Sequence, residues 1–279
     1  MGADLVDKRN PRSGLLDGVQ ARYPGPVSGQ APVLALSIVI PVYNEEAIIE
    51  GALLRYLHDL GELDRPFELI VSANGCRDQT IPIVRELMVG HPALRLIDSD
   101  TPDYGRALRA GLLAATGDVV VCDEIDLCDI GFVKRALRRL DHDECDVVVG
   151  SKAMVGARDR RPLTRRLATR VINGLLWATV GFEGTDTHGL KALKRGAILP
   201  IVGACVVDKD LFASELIIRA GRAGLRIQEI PIELEEQRSP PIHLMRRVPR
   251  VLKDLGRLVV AVRFGDSSSS PRSSDHARK

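Results

Sequence analysis

Short apolar runs alternate with longer amphipathic stretches through the middle of the chain. The first run, residues 36–40, reads Leu-Ser-Ile-Val-Ile and is closed by Pro41. Runs this rich in β-branched residues predict buried strands. Further strands are predicted over residues 67–71, 94–97, 118–122 and 146–149.

Apolar residues three or four positions apart predict a helix after each of the first four strands. These helices are expected after Asn44 and over about residues 79–89, 104–115 and 131–140. Asn44 suits the cap position of the first helix, because its side chain can accept hydrogen bonds from backbone N–H groups. Glu45 and Glu46 suit the positive end of the same helix dipole.

Strands that alternate with helices at this spacing predict an α/β fold with a mainly parallel central sheet and helices on both faces. In such sheets, ligands bind beyond the carboxyl ends of the strands, where the strand order reverses. This rule directs attention to three loops, at residues 41–45, 72–78 and 123–129.

The bulk composition fits a soluble protein. Of the 279 residues, 45% are hydrophobic and 27% are charged, and the net charge of +2 gives no reason to expect a nucleic acid partner. Five cysteines without CxxC pairing indicate free thiols in a reducing compartment. The chain shows neither a signal peptide nor an apolar run of ~18 residues. It is therefore expected to be cytoplasmic, with at most a peripheral contact with the inner face of a membrane.

The two ends of the chain differ from its centre. Residues 1–32 and 266–279 are predicted to be disordered, and they flank a domain at 33–240 and a basic amphipathic helix at 241–265. A basic amphipathic helix can lie on an anionic lipid surface, or it can pack against the preceding domain or a partner subunit. The sequence leaves both alternatives open. The expected apolar face of this helix consists of Val251, Leu252, Leu255, Leu258, Val259 and Val262.

Four carboxylates crowd the end of the fourth predicted strand, within residues 123–129. Acidic groups this close repel one another unless a cation neutralises them. Mg²⁺ or Mn²⁺, held by one or two carboxylates together with substrate phosphates, is the ion that suits such a site. The alternative is a solvated acidic loop in which Asp129 caps the next helix.

Several sequence blocks stand in order along residues 36–260. They are the Pro-x-Tyr-Asn-Glu turn at 41–45, Glu-Ile-Asp-Leu at 124–127, Gly-Ser-Lys at 150–152, Arg165-Arg166 with Thr169, the segment 186–192, the segment 215–220 with Gly224, and Ile-Pro-Ile at 230–232. This ordered set resembles family 2 glycosyltransferases, in particular the branch with dolichyl-phosphate mannose synthases and other polyprenyl-phosphate glycosyltransferases. Glu-Ile-Asp-Leu stands in place of that family's Asp-x-Asp metal motif.

This resemblance implies a GT-A fold, a nucleotide-diphospho-sugar donor and a Mg²⁺ or Mn²⁺ ion that bridges the diphosphate. The ion would offset charge on the departing diphosphate, which makes Asp126 catalytic through the metal. Asn74 stands where the family has an acidic residue, but it could still contact the base edge. The implied metal ligands are Glu124, Asp126 and Asp129. The implied donor contacts are Pro41, Tyr43, Glu45, Asn74, Arg106, Asp123 and Glu124.

Basic residues after the predicted catalytic sheet favour an anionic acceptor, since guanidinium groups bind phosphate through paired donors. The resemblance implies a polyprenyl phosphate, which is already ionised and needs little help from a base. If the acceptor is a hydroxyl, Asp186 is the candidate base, with a turn cap as its alternative role. Arg165 is assigned to catalysis. The acceptor-binding candidates are Lys152, Arg161, Arg166 and His188, and a plain loop histidine is the alternative for the last.

Three functions therefore compete. The first is transfer of a sugar to a polyprenyl phosphate, with inversion at the anomeric carbon. The second is transfer to a soluble or glycan hydroxyl. The third is nucleotide binding by a homologue that has lost catalysis, which is suggested by Asn74 and Glu124 at positions where the family has aspartate.

Overall fold

Strands and helices alternate through the first half of the chain close to their predicted bounds. The structure is a computed structural model that describes residues 35–152, 154, 158–159, 163–182, 184–187, 189–234, 253–260 and 262. The elements of the first half are β1 (Leu36–Val42), α1 (Ile49–Gly61), β2 (Phe67–Ala73), α2 (Thr80–Gly90), β3 (Leu94–Ile97), α3 (Tyr104–Ala114), β4 (Val119–Cys122), α4 (Ile130–Asp141) and β5 (Val147–Ser151).

The second half completes the sheet and adds helices. Residues 253–260 form a further helix. The other elements are β6 (Arg158–Asp159), α5 (Leu163–Val180), β7 (Lys191–Lys194), α6 (Arg195–Ala204), a 3-10 turn (Lys209–Leu211), α7 (Phe212–Arg222), β8 (Ile227–Pro231) and β9 (Glu233–Leu234).

Seven strands form the central sheet in the order β3-β2-β1-β4-β7-β5-β8. β7 runs antiparallel to both of its neighbours, whereas the other pairings are parallel. The predicted mainly parallel sheet is confirmed. The short strands β6 and β9 pair with each other in a separate parallel ladder.

Helices cover both faces of the sheet, so its central strands are buried on both sides. All seven residues of β1 are buried. Side chains of α1, α2 and α4 pack on one face, and those of α3, α6 and α7 pack on the other. Each fully buried Val, Ile or Leu side chain stabilises the fold by about 1.5–3 kcal/mol. Double coverage explains why these strands are apolar throughout rather than alternating.

The helix at 253–260 packs its apolar side against the protein. Leu255, Leu258 and Val262 are buried in a cluster with Leu176 of α5 and Ile218 of α7. Of the two alternatives for the C-terminal segment, the structure therefore supports packing for these residues. Within the described ranges, every helix is too short or too polar to cross a lipid bilayer.

The predicted capping role of Asn44 is wrong, because α1 begins only at Ile49. Asn44 adopts a left-handed backbone conformation, with φ of 53°, which asparagine tolerates better than most residues. Its side-chain oxygen accepts a hydrogen bond from the Arg77 backbone N–H at 2.8 Å. The Glu46 carboxylate accepts from the Gln79 N–H at 2.8 Å. These bonds join the loop after β1 to the loop after β2.

Strand order reverses between β1 and β4. The chain builds β2 and β3 on one side of β1 and then crosses to place β4 on the other side. The carboxyl ends of β1 and β4 therefore enclose the crevice in which α/β sheets of this kind bind ligands.

Candidate active site

A pocket of about 270 Å³ opens at this reversal point. Its walls come from the ends of β1, β2 and β4 and from the start of α3. Because parallel strands end at one edge of the sheet, residues far apart in sequence meet there. The lining residues are Pro41, Val42, Tyr43, Glu45, Asn74, Tyr104, Glu124, Ile125 and Asp126. The structure thus brings together most of the predicted donor contacts and one predicted metal ligand besides Glu124.

Asn74 is fixed in the pocket wall by its side-chain oxygen. That oxygen accepts a hydrogen bond from the Asp103 backbone N–H. Asp103 in turn caps α3 by accepting from the Arg106 N–H at 3.0 Å, and it accepts from the Lys209 N–H at 3.0 Å. Because the amide oxygen of Asn74 already accepts this hydrogen bond, its NH₂ group is the part that remains to contact a ligand, and it does so as a donor.

Asp123 organises the acidic loop instead of lining the pocket. It is 2% exposed, and one of its oxygens accepts from the Tyr56 hydroxyl at 2.5 Å. The backbone N–H groups of Glu124 and Asp129 also donate to its carboxylate, at 2.7 and 3.1 Å. Burial raises the pKa of Asp123 to about 7, and the Tyr56 hydrogen bond opposes that rise. The structure therefore gives Asp123 a supporting role in the acidic loop, and its predicted donor contact stays a prediction.

Glu124 and Asp126 supply the carboxylates on the pocket side of this loop. Burial raises the pKa of Glu124, nearby Asp126 raises it further, and Lys152 lowers it. A bound cation would relieve the same strain, since it favours the ionised form of both acids. In the part of the chain that the structure describes, no three Asp, Glu, His or Cys side chains form a metal-binding group by themselves. Two carboxylates with open positions for phosphate oxygens fit the way Mg²⁺ is usually held.

Asp129 fulfils the capping role that was its predicted alternative. It is the N-cap residue of α4, and its Oδ1 accepts from the Phe132 N–H at 2.8 Å. An oxygen engaged in this way is a weaker candidate for metal binding than those of Glu124 and Asp126.

Arg106 does not line this pocket, and its predicted donor contact stays a prediction. Its side chain is 60% exposed, and its Nε lies 4.0 Å from Asp208 Oδ2. The first turn of α3 reaches the pocket through Tyr104 instead.

Lys152, a predicted acceptor contact, pairs with Asp186, the predicted base. Lys152 Nζ lies 3.5 Å from Asp186 Oδ2, and the two side chains are 12% and 2% exposed. Their loops meet because Gly189 lies against Gly150: a Cβ atom at Gly189 would overlap the Gly150 carbonyl oxygen. The Gly150 N–H donates to Leu190 O at 2.7 Å across the same contact. Glycine is thus required for close approach of the two loops.

Lys191 places a buried ammonium group near both Glu124 and Asp186. It is 2% exposed, and its Nζ donates to Gly189 O at 2.6 Å. Burial lowers the pKa of Lys191, while the charges of Asp186 and Glu124 raise it. Positive charge at this depth partly balances the carboxylates around it.

The four remaining predicted residues lie in α5 or outside the described part of the chain. Arg165 and Arg166 belong to α5, but only their place in the helix is described. Arg161 and His188 lie outside the described residues. Their assignments to catalysis and acceptor binding stay predictions.

Three residues at the site were not predicted. Tyr104 could have been found, because it follows β3 at the same sheet edge. Lys191 begins the four-residue strand β7, but Lys194 ends the same strand, so the position of Lys191 in the strand does not single it out. Tyr56 faces Asp123 from the buried side of α1, and no sequence signal distinguishes it from an ordinary core residue.

Comparison with known proteins agrees with this geometry. The family model Glycosyl transferase family 2 matches residues 37–199. Glycosyltransferase AglD of Haloferax volcanii is 30% identical over 229 residues, which make up 80% of this chain but only 36% of AglD. The chain thus spans little more than a third of that relative. Dolichyl-phosphate beta-glucosyltransferase ALG5A of Trichomonas vaginalis is 25% identical over 256 residues, 88% of this chain and 79% of that protein.

A solved structure shares the fold. It is glucosyl-3-phosphoglycerate synthase of Mycobacterium tuberculosis in complex with Mn²⁺, UDP-glucose and phosphoglyceric acid. The TM-score is 0.56 at 21% sequence identity, with 80% of each chain covered. At this identity the likeness concerns the fold alone.

Proposed function

Because the chain belongs to glycosyl transferase family 2 and has the GT-A fold, we propose that it moves a hexosyl group from a nucleotide-diphospho-sugar to a polyprenyl phosphate. The observation that carries this proposal is the pocket at the reversal point. Tyr43 and Asn74 there offer an aromatic ring and an amide donor beside the carboxylates of Glu124 and Asp126.

The donor fits this pocket by chemistry. Tyr43 and Asn74 would contact the base and ribose, and Glu45 would accept from sugar hydroxyls. Glu124 and Asp126 would hold the Mg²⁺ or Mn²⁺ ion, which when bound neutralises charge on the diphosphate. The solved structure that shares this fold contains Mn²⁺ and UDP-glucose, so the fold itself can hold a donor of this class together with a metal ion.

The acceptor would lie against the Lys152–Asp186 pair. Lys152 would provide positive charge for a phosphate monoester, and the predicted roles of Arg165 and Arg166 would add to it. A phosphate oxygen forms the new bond to the anomeric carbon, while the bond from that carbon to the donor's β-phosphate oxygen breaks and its electron pair leaves with the nucleoside diphosphate. Attack from the side opposite the leaving group inverts the anomeric carbon. An ionised phosphate has no proton to lose at this step.

A hydroxyl acceptor is the second candidate, and the burial of Asp186 beside Lys152 favours it. The Asp186 carboxylate beside Lys152 is the group that could take the proton that a hydroxyl must release. Phosphoglyceric acid in the solved relative is an acceptor-side molecule without a polyprenyl chain. The polyprenyl phosphate remains the main proposal because ALG5A, matched over most of both chains, is a dolichyl-phosphate enzyme. Such an acceptor would place the protein at a membrane surface.

A transfer assay separates the candidates. Purified protein is incubated with Mn²⁺, a panel of radiolabelled nucleotide-sugars and a short-chain polyprenyl phosphate, and the product is extracted into organic solvent. Label in the organic phase supports a lipid phosphate acceptor. Label that remains in aqueous glycan or small-molecule products supports a hydroxyl acceptor.

Substitutions test the role of the acidic pair. We expect Asp126→Ala to abolish transfer. Asp64→Ala is the matched control, because Asp64 is exposed in the turn before β2, at the opposite edge of the sheet. If the wild type shows neither transfer nor donor hydrolysis with any nucleotide-sugar, the protein is a homologue without catalysis.

A further inference from the structure

A chain of hydrogen bonds ties β8 to the loop that carries Asp186. Both carboxylate oxygens of Glu229 accept from Thr185: Oε1 from the backbone N–H at 2.7 Å and Oε2 from the hydroxyl at 2.5 Å. The Thr185 hydroxyl also lies 2.5 Å from Ser151 Oγ. The Ser151 oxygen accepts from the Met154 N–H at 3.2 Å.

The carboxylate sets the direction of every bond in this chain. An ionised Glu229 can only accept, so the Thr185 hydroxyl must donate to it. The Thr185 oxygen is then free to accept from the Ser151 hydroxyl, and the Ser151 oxygen accepts from Met154. All hydrogens point toward Glu229, and bonds aligned in this way strengthen one another.

The residues next to this chain are the two to which the proposed function assigns the acceptor. Ser151 directly precedes Lys152, and Thr185 directly precedes Asp186. Asn173 of α5 adds a further restraint by donating to the Thr185 carbonyl at 2.5 Å. The chain of bonds therefore fixes the backbone of both loops immediately beside the Lys152–Asp186 pair.

We propose that Glu229 is a positioning residue for acceptor binding: through Thr185 and Ser151 it sets the distance between Lys152 and Asp186, and hence the seat of the acceptor phosphate. This inference rests on the proposed function, since it assigns the acceptor to that pair. The donor pocket is built from other elements, so donor binding should not depend on Glu229.

Glu229→Gln tests the direction of the bonds with almost no change in shape. The amide oxygen can still accept from the Thr185 N–H, but the NH₂ group then faces the Thr185 hydroxyl and reverses the chain. Thr185→Val removes the hydroxyl at nearly constant volume, whereas Thr185→Ser retains it. Glu86→Gln is the matched control, because Glu86 is exposed on α2.

Steady-state kinetics of transfer to the polyprenyl phosphate give the first readout. A misplacement of about 1 Å can cost about 100-fold in rate. We therefore expect Glu229→Gln and Thr185→Val to lower kcat/KM for the acceptor by about 10- to 100-fold, with the donor KM unchanged. Thr185→Ser and Glu86→Gln should resemble the wild type. The double variant Glu229→Gln/Thr185→Val should be no less active than the less active of its two single variants, because both substitutions break the same chain of hydrogen bonds.

Hydrogen exchange of the peptide around residues 184–187 gives a second readout that needs no acceptor. The weaker acceptor in Glu229→Gln should speed exchange of this loop, whereas Glu86→Gln should leave it unchanged. Unchanged exchange, or equal losses for donor and acceptor, would overturn the positioning role. If the wild type transfers nothing to a polyprenyl phosphate, the proposed function fails, and exchange of the loop alone then decides whether Glu229 holds it.

Discussion

Removal of one buried hydroxyl, in Tyr56→Phe, should weaken the acidic loop from behind. Tyr56 is fully buried in α1, and its hydroxyl donates to Asp123 at 2.5 Å. Asp123 also accepts from the N–H groups of Glu124 and Asp129, at the two ends of the loop. The hydroxyl is therefore one of three donors that hold the carboxylate on which the loop is built.

The expected loss is that of a hydrogen bond to a charged group, about 1.5–3 kcal/mol of unfolding free energy. Phenylalanine fills nearly the same volume, so no large cavity adds to this cost. The loss should depend on pH. Burial raises the pKa of Asp123 to about 7 in the folded protein, whereas the unfolded chain releases that proton near pH 4.

The sign follows from proton binding. Between about pH 4 and pH 7 the folded state binds the Asp123 proton that the unfolded state has lost, so the contribution of Asp123 to stability falls as the pH rises. At pH 8 the Asp123 carboxylate of the folded protein is ionised, and its hydrogen-bond donors then stabilise it most. Tyr56→Phe should therefore cost about 2–3 kcal/mol at pH 8 and about 1 kcal/mol at pH 5.5.

Urea denaturation at the two pH values measures this difference. Tyr43→Phe removes the same hydroxyl from a side chain that is 47% exposed, and it should change stability by no more than about 0.5 kcal/mol. Equal losses for the two variants, or a loss in Tyr56→Phe that does not vary with pH, would refute the reasoning.

Two further predictions concern the buried carboxylate of Glu68 in β2 and the close contact of Gly189. Although burial alone would raise the pKa of Glu68, hydrogen bonds from Ser37, Thr116 and Arg95 lower it below the usual range. Its contribution is present above the unfolded pKa, ~4.3, and is lost as the pH falls through the folded pKa. Glu68→Gln should therefore cost about 2 kcal/mol at pH 7 and less at pH 3, as measured by urea denaturation, and an equal cost at both would contradict this account. Gly189→Ala should cost about 1–3 kcal/mol by overpacking and should lower transfer activity, whereas Gly196→Ala, with open space around its Cβ, should do neither. Unaltered melting and activity in Gly189→Ala would show that the two loops can separate freely.

The position of the site could be predicted because it depends on strand order rather than on individual contacts. Apolar runs located β1 and β4, and parallel strands bring their carboxyl ends to one edge of the sheet. Pro41, Tyr43, Glu124 and Asp126 therefore had to meet. The close approach of Gly189 to the Gly150 carbonyl oxygen adds a physical reason for glycine at position 189.

The supporting contacts could not be predicted, because each joins residues far apart in sequence. Tyr56 and Asp123 are separated by 67 positions, and Thr185 and Glu229 by 44. The capping role assigned to Asn44 was wrong for a related reason. A residue that suits a helix cap also suits a loop bridge, and only the neighbouring loop with Arg77 decides between them.

The central claim is that Glu124 and Asp126 hold a divalent cation against the diphosphate of the donor. Isothermal titration of a nucleoside diphosphate, with and without Mn²⁺, into the wild type and Asp126→Asn tests it directly. Mn²⁺ should tighten binding at least about tenfold in the wild type, or about 1.4 kcal/mol, and leave the affinity of the variant nearly unchanged. The same Mn²⁺ effect in both proteins would contradict the claim.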